Sequence, residues 1–269
     1  MTKDILEKIV KEISYDYGIK GGKVNLKISI ITITYNSEKT VEDTIKSVIS
    51  QKYDDFEYII IDGGSTDNTI EIVKKYKDKI AYFVSESDRG ICDAFNKGIA
   101  VATGDIIGII NSDDLLYHDA LTKVAEAYCT GIDIIYGKGK RLYSDGRMED
   151  YLPRNLAFLK YGMALVHPST FVTKDAYTKY GVFDLKYKGC MDRELLLRMK
   201  SQGAVFKYVD EYLSIYRMGG FSDSNYLAVV ARERDEISIK YGASPLAVKM
   251  RSKVAYLKIK LKSALKSSL

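Results

Sequence analysis

The alternation of apolar and polar residues divides the chain into three parts with different predicted secondary structure. Apolar residues recur at helical spacing over residues 4–13 and are followed by glycines, which predicts a short helix and a linker within residues 1–25. From Lys27 onward, β-branched runs alternate with helical patterns, and from Asn225 the pattern is helical to the end. We therefore expect a central α/β domain with a helical C-terminal extension.

The first half of the central domain predicts a mainly parallel sheet flanked by helices. Four apolar runs are predicted to be buried strands, at 27–33, 56–61, 80–84 and 105–110. Helical patterns separate these strands, at 41–49, 65–76 and 91–102. Strands that alternate with helices in this way usually pair in parallel.

The second half of the domain has a looser pattern after Tyr117. The predicted elements are strands at 132–136, 205–208 and 212–216, a hairpin over 138–151 that turns at Asp145-Gly146, and a helix over 191–200. We expect the following regions along the chain: 1–25, a domain over 26–223 and an extension over 224–269. The domain itself is expected to have two halves, 26–115 and 116–223.

Composition and charge narrow the class of protein. With 46% apolar and 29% charged residues the chain is an ordinary globular protein. Residues 240–269 carry eight basic and no acidic residues, so the remainder has 33 basic and 36 acidic groups, a net charge of −3. A general nucleic-acid binder would spread its basic surface over the fold, so we expect no nucleic-acid partner. Three scattered cysteines and the lack of a signal or membrane-spanning run predict a cytoplasmic protein.

Polar side chains collect where the first, second and fourth predicted strands end. The three segments are Thr34-Tyr35-Asn36, Asp62-Gly63-Gly64-Ser65 and Asn111-Ser112-Asp113-Asp114. The carboxyl ends of parallel strands meet at one edge of the sheet, where ligands bind. Turn formation explains any one segment alone better than binding does. The three together predict one binding crevice.

The adjacent acids Asp113 and Asp114 form the most specific feature of this crevice. They follow an apolar strand, and two neighbouring carboxylates repel each other unless a cation lies beside them. Hard oxygen ligands suit Mg²⁺ or Mn²⁺, with substrate phosphates completing the coordination shell. Helix capping is the alternative, and it explains one acid better than two.

Four segments, taken in order, resemble family 2 glycosyltransferases with the GT-A fold. They are Ile33–Asn36, Ile61–Asp67, Gly104-Asp105 and Asn111–Asp114. The similarity extends from Lys27 to Ser222. It implies the GT-A nucleotide-diphospho-sugar transferase fold and an inverting sugar transfer of the kind found in bacterial cell-surface polysaccharide synthesis. The half over 26–115 would then bind the donor and the half over 116–223 the acceptor.

The resemblance also implies roles for single residues. It assigns the nucleotide pocket to three residues after the first strand, Thr34, Tyr35 and Asn36. Asp62 would contact the base, Asp113 the ribose and donor sugar, and Asp114 would hold Mn²⁺ or Mg²⁺ on the diphosphate. Many relatives carry a second Asp, which often reads the base, at the position of Gly63. Base recognition here therefore falls on Asp62 or on backbone groups, with uridine favoured.

Arg89, in the loop after the third strand, suits a diphosphate because guanidinium pairs with phosphate oxygens. The sequence supports equally the alternative that Arg89 is a solvated charge on the surface. A loop over Gly219–Ser222 resembles the family's Gly-Gly-x-Ser segment near the donor diphosphate, where backbone amides of a glycine pair cradle phosphate.

Two residues are predicted to act on the acceptor side. Asp192 matches the family's catalytic base, whereas the acid that usually precedes it is Met191 here. The alternative for Asp192 is a helix N-terminal acid that the helix dipole favours. His167 matches a histidine that relatives often place near the acceptor, although a lone histidine is more often structural.

These features predict a metal-dependent hexosyltransferase that moves a sugar, from a UDP-sugar by preference, to a saccharide or lipid-linked saccharide. The single displacement inverts the configuration while Asp192 takes the acceptor's proton. Two rivals remain open: a non-catalytic nucleotide-sugar-binding protein, which Met191 favours, and a sugar nucleotidyltransferase. The latter would need a Gly-rich basic loop after the first strand, and Thr34–Lys39 is not such a loop.

The basic tail offers a further partner. Apolar residues recur at spacings of three and four over 245–269, with lysines on the other faces. This pattern is typical of a helix on an anionic membrane surface. A peripheral position at the inner face of the membrane would suit a lipid-linked acceptor. The alternative is that the apolar stripe packs on the catalytic domain.

Overall fold

A curled nine-stranded sheet with helices on both faces forms the centre of the molecule. The computed structural model describes residues 26–219, 227–251 and 253–254, so the helix predicted over 4–13 lies outside the described residues. The strands, β1 to β9 in chain order, are Ile28–Thr34, Phe56–Asp62, Tyr82–Ser85, Ile106–Ile109, Leu115–Leu116, Ile134–Leu142, Met148–Tyr151, Thr170–Thr173 and Phe206–Arg217.

Seven α-helices flank this sheet in the described part of the chain. They are α1 to α7 in chain order: Val41–Ile49, Thr69–Lys74, Ile91–Val101, Ala120–Ala127, Lys174–Tyr180, Met191–Ser201 and Leu227–Lys240. Residues 245–251 and 253–254 are also helical. Three short 3₁₀ helices span Lys77–Lys79, Leu156–Lys160 and His167–Ser169. None of the helices in these described stretches has the length and apolarity needed to cross a membrane.

The strand order is β3-β2-β1-β4-β8-β6-β9-β5, and β7 pairs with β6. Strands β1 to β4 are mutually parallel, as their alternation with helices predicts. The second half makes the sheet mixed, because β8 runs antiparallel to β4 and to β6. The α/β architecture is confirmed, and its parallel part holds the strand ends that the sequence singled out.

The apolar runs of β1 and β2 are explained by burial on both faces of the sheet. On one face Ile31 and Ile59 pack in a cluster with Phe95 of α3. On the other face Ile30 packs in a cluster with Ile45 of α1. A strand covered by helices on both sides has no solvent-facing positions, so nearly every residue in it is apolar.

Strands β6 and β9 are longer than predicted. The sequence predicts breaks near residues 137 and 210, but both strands continue, and they pair in parallel with a register shift beside Gly137. A Cβ atom at Gly137 would lie 2.8 Å from the carbonyl oxygen of Glu211. The glycine therefore lets the two backbones approach at an irregularity that looks like an interruption in sequence.

The C-terminal helix α7 packs directly on the domain. Its Ile237 is fully buried, and the buried guanidinium of Arg193, from α6, donates to the carbonyl oxygen of Arg234 at 2.9 Å and to Ser238 Oγ at 2.8 Å. Hydrogen bonds from a buried guanidinium are costly to break, so they fix α7 against α6.

The domain boundary predicted at residue 223 falls among residues 220–226, outside the described part, and stays a prediction.

Candidate active site

The loops after β1, β2 and β4 meet at the carboxyl edge of the sheet. The backbone N–H of Asn36 donates to Ser65 Oγ at 2.8 Å, which joins the first two loops. The hydroxyls of Ser37 and Ser112 lie 2.8 Å apart, which joins the first loop to the loop after β4. The three polar segments therefore share one crevice, as their positions after parallel strands predict.

Asp62 is fully buried at the end of β2, and its carboxylate is used inside the protein. Its Oδ2 accepts hydrogen bonds from the N–H groups of Gly64 at 3.1 Å and Ser65 at 2.9 Å, and from Ser85 Oγ at 2.7 Å. Its Oδ1 accepts from Ser65 Oγ. Asp62 thus organises the loop after β2, and its predicted contact with the base stays a prediction.

The three residues after β1 differ in what they present to the crevice. Thr34 Oγ1 is buried and has no hydrogen-bond partner in the described part of the structure. Tyr35 is 62% exposed. Asn36 is the one non-glycine residue with positive φ, 47°, among those described, and its Oδ1 accepts the N–H of Thr66 at 2.8 Å. Asparagine tolerates this backbone conformation, so the turn directs the Tyr35 ring outward.

Asp114 carries the strongest electrostatic signal of the site. It is fully buried, and its Oδ1 accepts the backbone N–H of Arg217 at 3.0 Å. Its Oδ2 is buried without a hydrogen-bond partner among the described residues, as is Asn111 Oδ1. Burial, and then the neighbouring charge of Asp113, raise the pKa of Asp114 well above its usual range. A cation at this point would relieve both effects.

These oxygen atoms fit a hard divalent cation. Two orphaned buried oxygens, one from a carboxylate and one from an amide, are the ligand types that Mg²⁺ and Mn²⁺ take. Within the described ranges, no three His, Cys, Asp or Glu side chains converge as a complete site. Asp114 and Asn111 could therefore hold such a cation only as part of a coordination shell, which donor phosphate oxygens would have to complete.

Arg217, at the end of β9, belongs to this site although sequence reasoning did not single it out. Its Nε donates to the carbonyl oxygen of Asp113 at 3.0 Å, and its Nη2 donates to the carboxylate of Asp43 at 3.2 Å. The contacts join residues more than 100 positions apart in the chain. In the sequence, the only feature that pointed to Arg217 was its position just before the Gly219–Ser222 segment. Of that segment, Gly219 alone lies among the described residues.

Arg89 lies in the loop after β3, where it was predicted to border the donor. Its guanidinium pairs with Asp93 of α3 at 2.9 Å, and its side chain is 75% exposed. The Asp93 side chain is only 11% exposed, and the hydrogen bond from Arg89 lowers its pKa. The predicted contact between Arg89 and a diphosphate stays a prediction.

Asp192 lies in the first turn of α6 and is partly exposed. The loop before it is fixed by Glu233 of α7, whose carboxylate accepts the N–H groups of Lys188 at 2.8 Å, Gly189 at 2.8 Å and Cys190 at 3.0 Å. Three charge-assisted hydrogen bonds to consecutive backbone groups restrain a loop strongly. The restrained loop therefore holds Asp192 in a defined position at the start of α6.

His167 and Asp192 lie within electrostatic range of each other. Burial lowers the pKa of His167, and the negative charge of Asp192 opposes that shift. The imidazole packs against Phe95, with ring centroids 5.7 Å apart. The two residues predicted for the acceptor side are therefore brought together, although they lie 25 positions apart in the chain.

A cavity of about 540 Å³ opens on the same side of the domain. Apolar side chains line it together with three arginines, Arg141, Arg154 and Arg251, and one acid, Asp150. Tyr151 also lines it, and its pKa is raised by burial and then by Asp192, while Arg141 opposes the shift. The cavity therefore lies within electrostatic range of Asp192 and combines apolar side chains with more basic than acidic groups.

The α/β sheet and the polar loops at its strand ends define the class of nucleotide-diphospho-sugar transferases with the GT-A fold. The chain belongs to glycosyltransferase family 2, whose model, "Glycosyl transferase family 2", matches residues 29–185, more than half of the 269 residues. An uncharacterized glycosyltransferase of Mycobacterium tuberculosis is 33% identical over 177 residues, which are 64% of this chain and 68% of that protein. A PGL/p-HBAD biosynthesis glycosyltransferase of the same organism is 28% identical over 204 residues, 73% and 79% of the two chains.

Solved structures share the fold at low sequence identity. S. aureus TarS 1–349 in complex with UDP-GlcNAc superposes with a TM-score of 0.64 at 19% identity, over 83% of this chain and 69% of that one. The mannosyltransferase PcManGT from Pyrobaculum calidifontis, in complex with GDP-Man and Mn²⁺, has a TM-score of 0.63 at 16% identity, over 88% and 72% of the chains. The predicted GT-A fold and the family resemblance are both confirmed.

Proposed function

We propose that this glycosyltransferase moves a sugar from a UDP-sugar to an acceptor hydroxyl with inversion, in the synthesis of a surface polysaccharide or glycolipid. The observation that carries the proposal is the buried carboxylate of Asp114 at the carboxyl edge of the parallel strands, with one oxygen that has no hydrogen-bond partner among the described residues. The UDP-GlcNAc complex of TarS and the PGL/p-HBAD biosynthesis relative support a nucleotide-sugar donor and a surface glycan product.

On the donor side, Asp114 and Asn111 would hold Mn²⁺ or Mg²⁺, as the orphaned oxygens of both residues suggest. The bound cation would neutralise charge that develops on the leaving nucleoside diphosphate. Asp113 would face the ribose and donor sugar. Arg217 holds the acid loop in place through its hydrogen bond to the Asp113 carbonyl oxygen. The Mn²⁺ in the PcManGT complex supports a divalent metal at such a site.

On the acceptor side, Asp192 would accept the proton of the attacking hydroxyl. A carboxylate is a weak base in water, but the alcohol becomes acidic as its bond to the sugar forms, so a late transfer suffices. One displacement at the anomeric carbon inverts its configuration. His167, which lies within electrostatic range of Asp192, would contact the acceptor or restrain Asp192, and the loop held by Glu233 would position Asp192 relative to the donor.

The acceptor would enter through the cavity beside Tyr151. Its apolar wall suits the ring faces of a saccharide or the first part of a lipid, and its three arginines suit a phosphate linkage. A saccharide or lipid-linked saccharide meets both requirements, whereas an uncharged, fully polar acceptor would leave the arginines unused.

The C-terminal helical segment supports a peripheral position at the inner face of a membrane. Three residues of the predicted stripe are exposed, Leu246 by 68%, Met250 by 61% and Val254 by 52%, whereas Val248 is buried. Exposed apolar groups interleaved with basic residues suit an anionic lipid surface. Residues beyond 254 lie outside the described part, so the rest of the stripe stays a prediction.

Donor hydrolysis by the purified protein tests the proposal. A panel of nucleotide sugars is incubated with and without Mn²⁺, and released nucleoside diphosphate is measured. Metal-dependent release of UDP from a UDP-sugar supports a transferase. Binding without release would favour the non-catalytic binding protein, and formation of a nucleotide sugar from a nucleoside triphosphate and a sugar phosphate would favour the nucleotidyltransferase.

A further inference from the structure

The loop after β3 lays the carboxylate of Asp88 against the backbone of Gly63. A Cβ atom built on Gly63 would lie 2.5 Å from Asp88 Oδ2 and 3.3 Å from its Cγ. The same point is 3.6 Å from Cδ2 of Tyr35. The Asp88 carboxylate therefore fills the space that a side chain at residue 63 would take, beside the exposed tyrosine of the crevice.

One oxygen of this carboxylate is held and the other is free. Asp88 Oδ1 accepts the N–H of Gly90 at 2.8 Å, which fixes the orientation of the group. Asp88 Oδ2 accepts no hydrogen bond from the described residues. The neighbouring cations are engaged elsewhere, because Arg89 pairs with Asp93 at 2.9 Å and Lys97 with Glu86 at 2.7 Å. A partly buried, oriented and unneutralised acceptor is thus presented at the mouth of the crevice.

The chemistry of this acceptor selects among nucleotide bases. A planar base stacks on an aromatic face whatever its identity, so Tyr35 alone would not discriminate. An ionised carboxylate only accepts hydrogen bonds. It is therefore complementary to the N3–H group of uracil and repels the N3 lone pair of cytosine. Guanine presents two adjacent N–H groups and pairs best with both oxygens of a carboxylate, one of which here already accepts the Gly90 N–H.

We propose that Asp88 is the residue that selects uracil in the donor, in place of a side chain at residue 63. This inference rests on the proposed function, since it concerns the donor of that reaction. The carboxylate reaches the base from the loop after β3 instead of the loop after β2. It also leaves Asp62 free for the buried hydrogen bonds that organise its own loop.

The test measures the dissociation constants of UDP, CDP and GDP by calorimetry with Mn²⁺ present. The wild-type protein should bind UDP at least about 10-fold more tightly than CDP, since a hydrogen bond to a charged group carries that discrimination. Asp88→Asn should weaken UDP binding about 10- to 100-fold and abolish the preference over CDP. Glu71→Gln removes an exposed acid of α2, outside this loop, and should leave both constants unchanged.

A reciprocal exchange separates a local role from general damage. Gly63→Asp alone should weaken UDP binding, because its side chain overlaps the Asp88 carboxylate. The double variant Gly63→Asp/Asp88→Gly returns one carboxylate to the same space and should recover most of the UDP preference. Melting temperatures of all variants, without nucleotide, show whether each one is folded.

The outcomes distinguish this inference from the proposed function. If Asp88→Asn still prefers UDP over CDP as the wild type does, or if the wild type prefers GDP, then Asp88 does not select uracil while a nucleotide-sugar transferase remains. If the folded wild type binds none of the three nucleotides in the presence of Mn²⁺, the proposed function itself is wrong.

Discussion

Replacement of Glu57 by Gln is predicted to destabilise the fold without changing the site. Glu57 lies on β2 and is the acceptor that joins three segments at the edge opposite the crevice. Its Oε1 accepts from Ser29 Oγ at 2.5 Å and from the Thr103 N–H at 2.6 Å, and its Oε2 lies 2.9 Å from Lys27 Nζ. The side chain is only 11% exposed, so these contacts are little screened by solvent.

The expected loss of unfolding free energy follows from the pKa of Glu57. Burial raises this pKa, but the hydrogen bonds from Ser29, Thr103 and Lys27 outweigh it and lower the pKa from 4.5 to about 2. A folded-state pKa lower than the unfolded value means that the charged form stabilises the fold, by about 3 kcal/mol at neutral pH. This contribution is fully present above pH 4.5 and is lost as the pH falls through about 2.

Urea unfolding of wild type and Glu57→Gln at several pH values tests this reasoning. The difference in unfolding free energy should be about 3 kcal/mol at pH 7 and should shrink as the pH is lowered below 4.5. Glu42→Gln, on the exposed surface of α1, is the matched control and should change little. UDP affinity should be unchanged in both variants. A difference at pH 7 that is absent, or that grows towards acid pH, would refute the assignment.

Three further predictions concern the site and the tail. Asp192→Asn should lower kcat at least about 100-fold with UDP affinity nearly unchanged, because the base is lost while the donor site is intact; retention of more than about a tenth of kcat would exclude Asp192 as the base. Asp114→Ala should remove both activity and metal binding, and calorimetry that shows unchanged Mn²⁺ affinity in the presence of UDP would contradict its role as ligand. The full chain should sediment with anionic vesicles and be released by salt at about 0.5 M. Truncation after Tyr241, or replacement of Leu246, Met250 and Val254 by Ser, should abolish this binding. Equal sedimentation of all forms would mean that the tail is structural.

The sequence predicts the parallel half of the sheet accurately because its strands have only one way to be buried. β1 and β2 are predicted to within one residue at each end, since a continuous β-branched run fits a strand covered on both faces. The short helices α4 and α5 were not predicted. Elements of seven or eight residues have little intrinsic stability, so they depend on packing that local pattern does not encode.

Within the site, sequence position predicts which loops meet but not which oxygens remain free. The convergence of the three strand ends follows from parallel topology alone. By contrast, the engagement of Asp62 with Ser85, and the contact of Asp88 with Gly63, depend on how two loops fold across one another. The hydrogen bond from Arg217 to Asp114 spans 103 positions and depends on the pairing of β9 with β5. Such contacts are set by tertiary structure, which a single sequence does not display.

The C-terminal helix α7 packs on the second half of the domain, although composition sets the C-terminal region apart from the rest of the chain. Glu233 holds the three backbone N–H groups that precede Asp192, and the buried Glu194 of α6 accepts from Tyr241 Oη at 2.7 Å and from Lys240 Nζ at 2.9 Å. Removing these groups would leave a buried carboxylate without its partners, which is strongly destabilising. A truncation that tests membrane contact must therefore retain Tyr241, because a cut before α7 would also disturb the loop before Asp192. Truncation after Tyr241 still removes Arg251 from the cavity wall, so the serine substitutions at Leu246, Met250 and Val254 are the variants that test membrane contact with the cavity intact.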